Sequence, residues 1–175
     1  MSISNDTVHL NLTSFQHWVD DSYFERISLK QLGLRIQLGH KIQDKCRNSV
    51  QATGDDFVVI DINGIHDVGL DFCNCETSKP HFIQLLRYGL YPASLDRPKT
   101  AATFTVLKHF QLLNFESKAS MFEFYNTLVQ LSDNTGLSKP KVCYPMYPHM
   151  GQVIYATHSR IDIVHLRSWF ESTVT

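Results

Sequence analysis

Apolar and polar residues alternate over several short stretches of this chain and fall into helical periods over others. Val8, Leu10 and Leu12 alternate with His9 and Asn11, which predicts a first strand. His17 to Ile27 mixes aromatic and charged residues without a period and reads as an irregular segment, with Trp18, Tyr23 and Phe24 packing onto the sheet. Leu34, Ile36 and Leu38 alternate with Arg35 and Gln37, a second strand ending at Gly39-His40. A polar loop carrying Cys46 follows, and Asn48 to Asp55 reads as loop, with Gly54-Asp55 as its turn.

The most informative stretch runs from Phe57 to Arg87. Phe57 to Ile60 is an unbroken apolar run of the length of a buried strand. Asp61-Ile62-Asn63-Gly64 reads as a tight turn, because Asn-Gly supplies residues that accept positive φ. Val68, Leu70 and Phe72 then alternate with Gly69 and Asp71, the period of a half-buried strand that runs into Cys73-Asn74-Cys75. Pro80 opens a helical pattern in which Phe82, Leu85 and Leu86 share a face, with Gly89 as its C′ residue.

Leu90 to Arg97 reads as a connector, and Pro98 as the start of a second helix with Ala101, Phe104, Leu107 and Leu112 on one face. Asn114 to Lys118 breaks that pattern. Ser120 and Glu123 have capping-box spacing before a third helix carrying Phe122, Tyr125, Leu128 and Val129. Asp133 to Gly136 ends it. Beyond, Lys139 to Met150 holds three prolines and reads as an extended connector, Val153 to Tyr155 as a short strand, and Ser159 to Glu171 as a last helix. The pattern predicts an α+β fold, with short antiparallel strands followed by about three helices.

Composition narrows the function classes. The chain has 175 residues, 43% of them hydrophobic and 11 of them Phe, as expected of one folded domain or one with a short appendage. A net charge of −1 leaves no overall electrostatic footprint for nucleic acid or acidic membrane, so a DNA contact requires a local patch. Arg87, Arg97, Lys99, Lys108 and Lys118 are the candidates for one, or simply a solvated face. No apolar run approaches the ~18 residues of a membrane span, and the first residues lack the basic and apolar regions of a secretory signal. The expected setting is intracellular, where four cysteines are free or metal-bound.

The candidate chemistry lies at His40, Cys46, Cys73, Cys75 and His81. Residues i and i+2 of a strand point to one face, so Cys73 and Cys75 can share an ion. With His40 and Cys46, from the end of another strand, they would pin two strand ends and a loop to one zinc. Spacing alone leaves buried core cysteines as an equal reading, and His40, His81 and Cys143 compete for the fourth ligand position. A rival constellation starts from Asp61, at the end of a buried strand, where ribonuclease-H-like nucleases carry a Mg²⁺-binding carboxylate. Asp67 and Asp71 are near it in sequence, but Asp71 faces outward, no later Glu falls in a suggestive setting, and a turn-forming Asp beside Asn-Gly is the heavier reading of Asp61. His66-Asp67 stands without a second histidine motif. No phosphate-cradling glycine loop and no nucleophile elbow is present.

Five collinear stretches carry a family likeness: Ser28 to His40, Phe57 to Cys75, His81 to Ser94, Pro98 to Lys118 and Glu123 to Gly136. Together they resemble the CxC-like cysteine cluster found N-terminal to KDZ (Kyakuja, Dileera and Zisupton) transposases. The likeness covers about His9 to Gly136, which suggests a cysteine-cluster domain at 1–136 and a divergent extension at 137–175 where a transposase region would begin. The resemblance implies a zinc-chelating accessory module, with Cys73 and Cys75 as the namesake pair, His40 and Cys46 as the upstream pair, and His81 as an alternative ligand. It implies DNA or a transposase polypeptide as partner, no membrane, no small-molecule substrate, a nuclear location and no catalysis by the module alone. It weighs against Asp61 as a catalytic residue, since the family's acidic core lies downstream. The alternatives are a divergent ribonuclease-H-like nuclease using Asp61 and a zinc-stabilised protein-interaction domain. Relatives also carry cysteine and histidine pairs ahead of the Ser28 segment and a long catalytic region behind it. By that comparison this chain is expected to be a truncated or decayed element, or a gene product covering only the module.

Overall fold

The computed structural model describes residues 15–19, 22–40 and 44–133. Its centre is a hairpin of β5 (Phe57–Asp61) and β6 (Gly64–Cys73), paired from Phe57↔Val68 to Asp61↔Gly64. Phe57, Val58, Val59 and Ile60 are each almost wholly buried, as an apolar run flanked by helices on both sides must be. The turn residues are Ile62 and Asn63, and the positive φ falls on Gly64 alone (136°). A Cβ there would lie 2.7 Å from the Ser132 hydroxyl oxygen, which accepts the Ile65 N–H at 2.6 Å.

Around this hairpin the sheet is mixed. On one edge of β6, β3 (Arg35–Gln37) runs parallel to it; on the other edge, past the end of β5, β4 (Ser49–Gln51) pairs antiparallel with the last residues of β6. Beyond β5, β8 (Thr100–Thr103) runs parallel to β5, and β7 (Leu90–Pro92) closes the edge antiparallel to β8. A two-stranded antiparallel sheet, β1 (Phe15–Val19) with β2 (Tyr23–Ile27), stands apart from this one. Three helices follow the central hairpin: α1 (His81–Arg87), α2 (Phe104–Ser117) and α3 (Met121–Ser132). The α+β class with three helices agrees with the sequence pattern; the two parallel pairings are invisible to it, because alternation reports faces and not strand direction.

The core has two parts, one on each face of the sheet. Val58, Ile60 and Ala102 pack with Val106, Leu107 and Phe110 of α2 and with Phe124, Tyr125 and Leu128 of α3. Phe57, Val59 and Ala101 pack the other way, with Val68, Leu70, Phe72 and Leu85 of α1. Each of the Val, Leu, Ile and Phe side chains among these, fully buried, contributes roughly 1.5–3 kcal/mol.

Several elements differ from the sequence expectation. The described residues between His17 and Ile27, apart from the turn residue Ser22, lie in β1 and β2 and not in an irregular stretch, and Trp18 and Tyr23 are each about half exposed. Phe24's side chain, the Val8–Leu12 strand and everything predicted beyond Asp133 lie outside the described residues. Ser49–Gln51 is a strand where a loop was expected, and Leu90–Pro92 a strand where a connector was. Leu34 is exposed while Leu38 is fully buried, so the second strand is shorter than its alternation. The second helix begins at Phe104, not Pro98. Thr100–Thr103 is a strand between β5 and β7, where the small Ala101 and Ala102 fit with no exposure at all. Pairing on both sides there overrides the helical preference of alanine.

That helix also runs on through Asn114 and stops at Lys118, whose φ is 58°. Leu112 and Phe122 face solvent, while Phe110 and Phe124 take the buried positions. In the first helix Phe82 is half-buried and Ile83 fully so. The capping box at Ser120 forms as its spacing predicts: Ser120 Oγ accepts the Glu123 N–H and Glu123 Oε2 accepts the Ser120 N–H. The Ser120 N–H, and then the Ser120 hydroxyl that donates to the same Glu123 oxygen at 2.8 Å, hold the Glu123 carboxyl below its usual range. Ser120→Ala is expected to destabilise the fold by about 1 kcal/mol; denaturant unfolding with an unchanged midpoint would show that the cap carries no weight.

Candidate metal centre

The end of β6 gathers four side chains because three different segments meet there. The ladder between β3 and β6 continues one residue, Leu38 N–H donating to the Asp71 carbonyl at 2.9 Å. The chain then leaves at Gly39, with φ +87°; a Cβ there would sit 2.4 Å from the Cys73 Cβ. Only glycine combines that φ with that contact. One residue on, His40 places Nε2 3.2 Å from Cys73 Sγ and 3.7 Å from Cys75 Sγ.

The returning loop is tied at both ends. Gln37 Nε2 donates to the Asp44 carbonyl at 2.9 Å. Asn48 and Asn74 clasp each other across the two ligand loops, Asn74 N–H to Asn48 C=O at 3.0 Å and Asn48 Nδ2 to Asn74 C=O at 2.7 Å. This clasp brings Cys46 Sγ to 3.6 Å from Cys75 Sγ.

The ligand atoms of His40, Cys46, Cys73 and Cys75 all lie within 4.8 Å of one another. A tetrahedral zinc site with Zn–S of about 2.3 Å has S···S edges of about 3.8 Å. Separations of 3.2, 3.6 and 3.7 Å are of that size, so the four lie close enough together to hold one metal ion. The protonation behaviour points the same way. Desolvation pushes the Cys46 thiol up, but the Asn48 backbone N–H and then Cys75, Cys73 and His40 outweigh it and draw it down to about 7. The Cys75 thiol is pushed up to about 11 by its hydrogen-bonded neighbours Cys73 and Cys46. One thiolate forms readily here, and further negative charge needs a cation to offset it.

A family model described as CxC2 like cysteine cluster associated with KDZ transposases matches residues 29–136. The chain belongs to this family. The matched span holds all four residues of the group and every element from β3 to α3. No curated protein and no solved structure matches the chain.

The other candidate residues of this cysteine-cluster chain lie elsewhere. His81 stacks on Phe72, ring centroids 4.1 Å apart and 11° from parallel, and burial holds its pKa down. Cys143 lies outside the described residues. Asp61 Oδ1 accepts the Thr103 hydroxyl at 2.6 Å, and Thr103 Oγ1 in turn accepts the Val106 N–H as the cap of α2. Asp71 pairs with Arg35 at 2.6 Å, Arg35 also reaches Asp55 at 2.9 Å, and the two carboxylates raise the Arg35 pKa. Asp67 is exposed. His66 Nε2 pairs with Asn63 Oδ1 at 2.8 Å.

Among the described residues, the only group of three or more side chains spaced to hold a metal is the His40 group, so Asp61, Asp67 and Asp71 do not assemble into one. Of the basic candidates, Lys99 faces Asp56 at 3.7 Å and Lys118 lies over the Phe115 ring; Arg87, Arg97 and Lys108 are exposed.

Three supporting residues escaped the sequence reading: Gly39, Asn48 and Gln84. Gln84 left a trace, as a polar residue within the apolar run of α1. Gly39→Ala is expected to destabilise the protein by at least ~1–3 kcal/mol through left-handed strain and the clash with Cys73. Equal unfolding midpoints for Gly39→Ala and wild type would show that the close approach is not required.

Proposed function

We propose that His40, Cys46, Cys73 and Cys75 hold one structural zinc ion, and that the module assists recognition of DNA or protein by a transposase-derived polypeptide in the nucleus. Three thiols and an imidazole around one point carry this reading. That donor set suits zinc among the common divalent ions, and a closed set of four leaves no position for a reacting water. The role is therefore structural, and the module is not catalytic alone. When bound, zinc would supply the positive charge that lets the clustered thiols ionise together. The recognition role is supported by the association of the family with transposases.

Metal content tests the first part. Protein purified without added metal should carry about one zinc per chain, lost along with stability in Cys73→Ser and Cys75→Ser. Metal-free protein that is fully folded, and variants as stable as wild type, would make the cysteines core residues. Fluorescence anisotropy with transposon-end and random duplexes tests the partner. Low-salt binding that weakens with added salt is expected for DNA. Binding to neither duplex, with retention of a transposase polypeptide of the same class in a pull-down, would assign the module to protein recognition.

A further inference from the structure

Strand β3 stops pairing with β6 just before the ligand residue that β6 carries. In an unbroken parallel ladder, Leu38 would donate to Asp71 and then accept from Cys73, since each residue bonds to two residues of its neighbour. The first bond forms. Past Leu38, Gly39 turns the chain outward to deliver His40, and the Cys73 N–H donates instead to Gln84 Oε1 at 2.9 Å. Gln84 Nε2 returns a bond to the Cys73 carbonyl at 2.9 Å and a second to the Lys79 carbonyl at 2.7 Å. One carboxamide thus takes the place of a strand residue. It comes from α1, where Gln84 is 3% exposed between the buried Ile83 and Leu85.

The position matters because Cys73 is the most buried of the four, 4% exposed, and the one His40 approaches most closely. Its sulfur is also held by the Cys75 N–H at 3.5 Å. A Cβ on Gly39 would lie 3.1 Å from Gln84 Oε1, so Gly39, Cys73 and Gln84 occupy one tightly packed corner. Groups that orient ligands in this way govern metal affinity without touching the metal.

We propose that Gln84 is the positioning residue of the metal centre: its carboxamide fixes the Cys73 backbone at the end of β6 and so sets the Cys73 sulfur in its ligand position before metal arrives. This rests on the reading of the four side chains as zinc ligands, and the test separates the two. Gln84→Met keeps the volume and removes all three hydrogen bonds. In the full chain, zinc affinity is measured by competition with a chromophoric chelator. Amide exchange at Cys73 is measured on the metal-free protein.

The expected result is a circular dichroism spectrum like wild type, a 10- to 100-fold loss of zinc affinity, and exchange at Cys73 faster by ~10-fold or more while Val59 is unchanged. Cys75→Ser should do the reverse, losing zinc while the Cys73 amide stays protected. Wild-type affinity and wild-type Cys73 exchange in Gln84→Met would overturn the proposal. If wild-type protein takes up no zinc, the ligand reading fails, and the exchange rates alone decide whether Gln84 holds Cys73. Where Gln84→Met does not fold, Gln84→Glu keeps the acceptor for the Cys73 N–H but sets a carboxylate against the Cys73 and Lys79 carbonyls in place of a donor; zinc affinity should fall while the Cys73 amide stays protected, and wild-type zinc affinity would overturn the proposal. Should neither fold, the wild type decides: a metal-free Cys73 amide exchanging as fast as that of exposed Glu76 overturns the assignment.

Discussion

The geometry of the cysteine cluster depends on the contact between Gly39 and Cys73, where two strand ends come closer than any side chain would allow. Gly39 lies so near the Cys73 Cβ that a methyl group between them would overlap it. That approach is possible because β3 and β6 run parallel and in register up to Leu38 and Asp71. It delivers an imidazole and a thiol to one place from segments more than thirty residues apart in sequence. The Asn48–Asn74 clasp then closes the loop that brings Cys46 to the same point. Hydrogen bonds at Leu38, Asn48, Asn74 and Cys73 fix the backbone next to the four side chains, which would limit the entropy lost on taking up a metal.

The sheet explains why the cluster stands where it does. Over β5 both faces are covered, by α1 on one side and by α2 and α3 on the other, and apolar burial there is sufficient to order the chain. At the far end of β6 the neighbours are the three-residue strands β3 and β4, and every residue of β4 is exposed. Leu38, Ala52 and Phe72 are buried there, but among the described residues neither loop leaving that end, 39–48 or 74–80, holds a buried side chain. Polar ties, a close glycine contact and the His40–Cys46–Cys73–Cys75 group occupy the place that hydrophobic packing fills elsewhere.

The opposite end of β5 shows how a residue of catalytic type can be absorbed by structure. Asp61 ends a fully buried strand beside the start of a helix, a position that invites a metal-binding reading. Its carboxylate instead accepts the Thr103 hydroxyl, and that threonine caps α2. The hydrogen bond joins β5 to β8 and to the helix N-terminus in one step. Asp71 is likewise taken up by Arg35, and Arg35 by Asp55 as well.

Local pattern determined much of this protein. The buried run Phe57–Ile60, the alternation of Val68, Leu70 and Phe72, the capping box at Ser120 and the break at Gly89 are consequences of short-range chemistry, and each is present in the fold. That Cys73 and Cys75 belong together was also legible, although β6 ends at Cys73 and Cys75 stands in the bend beyond it, so a shared strand face is not what places them. Tertiary structure decided what depends on partners distant in sequence. The strand at Thr100–Thr103 exists because β5 and β7 offer ladders on both sides, although its alanines read as helix. Trp18 and Tyr23 face outward despite their size. His40 joins the cysteines while His81 stacks on Phe72, a choice that spacing could not make, since it rests on the register of a parallel pair and on one glycine with positive φ. Gln84 bonds to a backbone eleven residues away. A hydrophobic period records which face is buried, but it carries no record of which strand lies alongside, and the cluster is built from that neighbour relation.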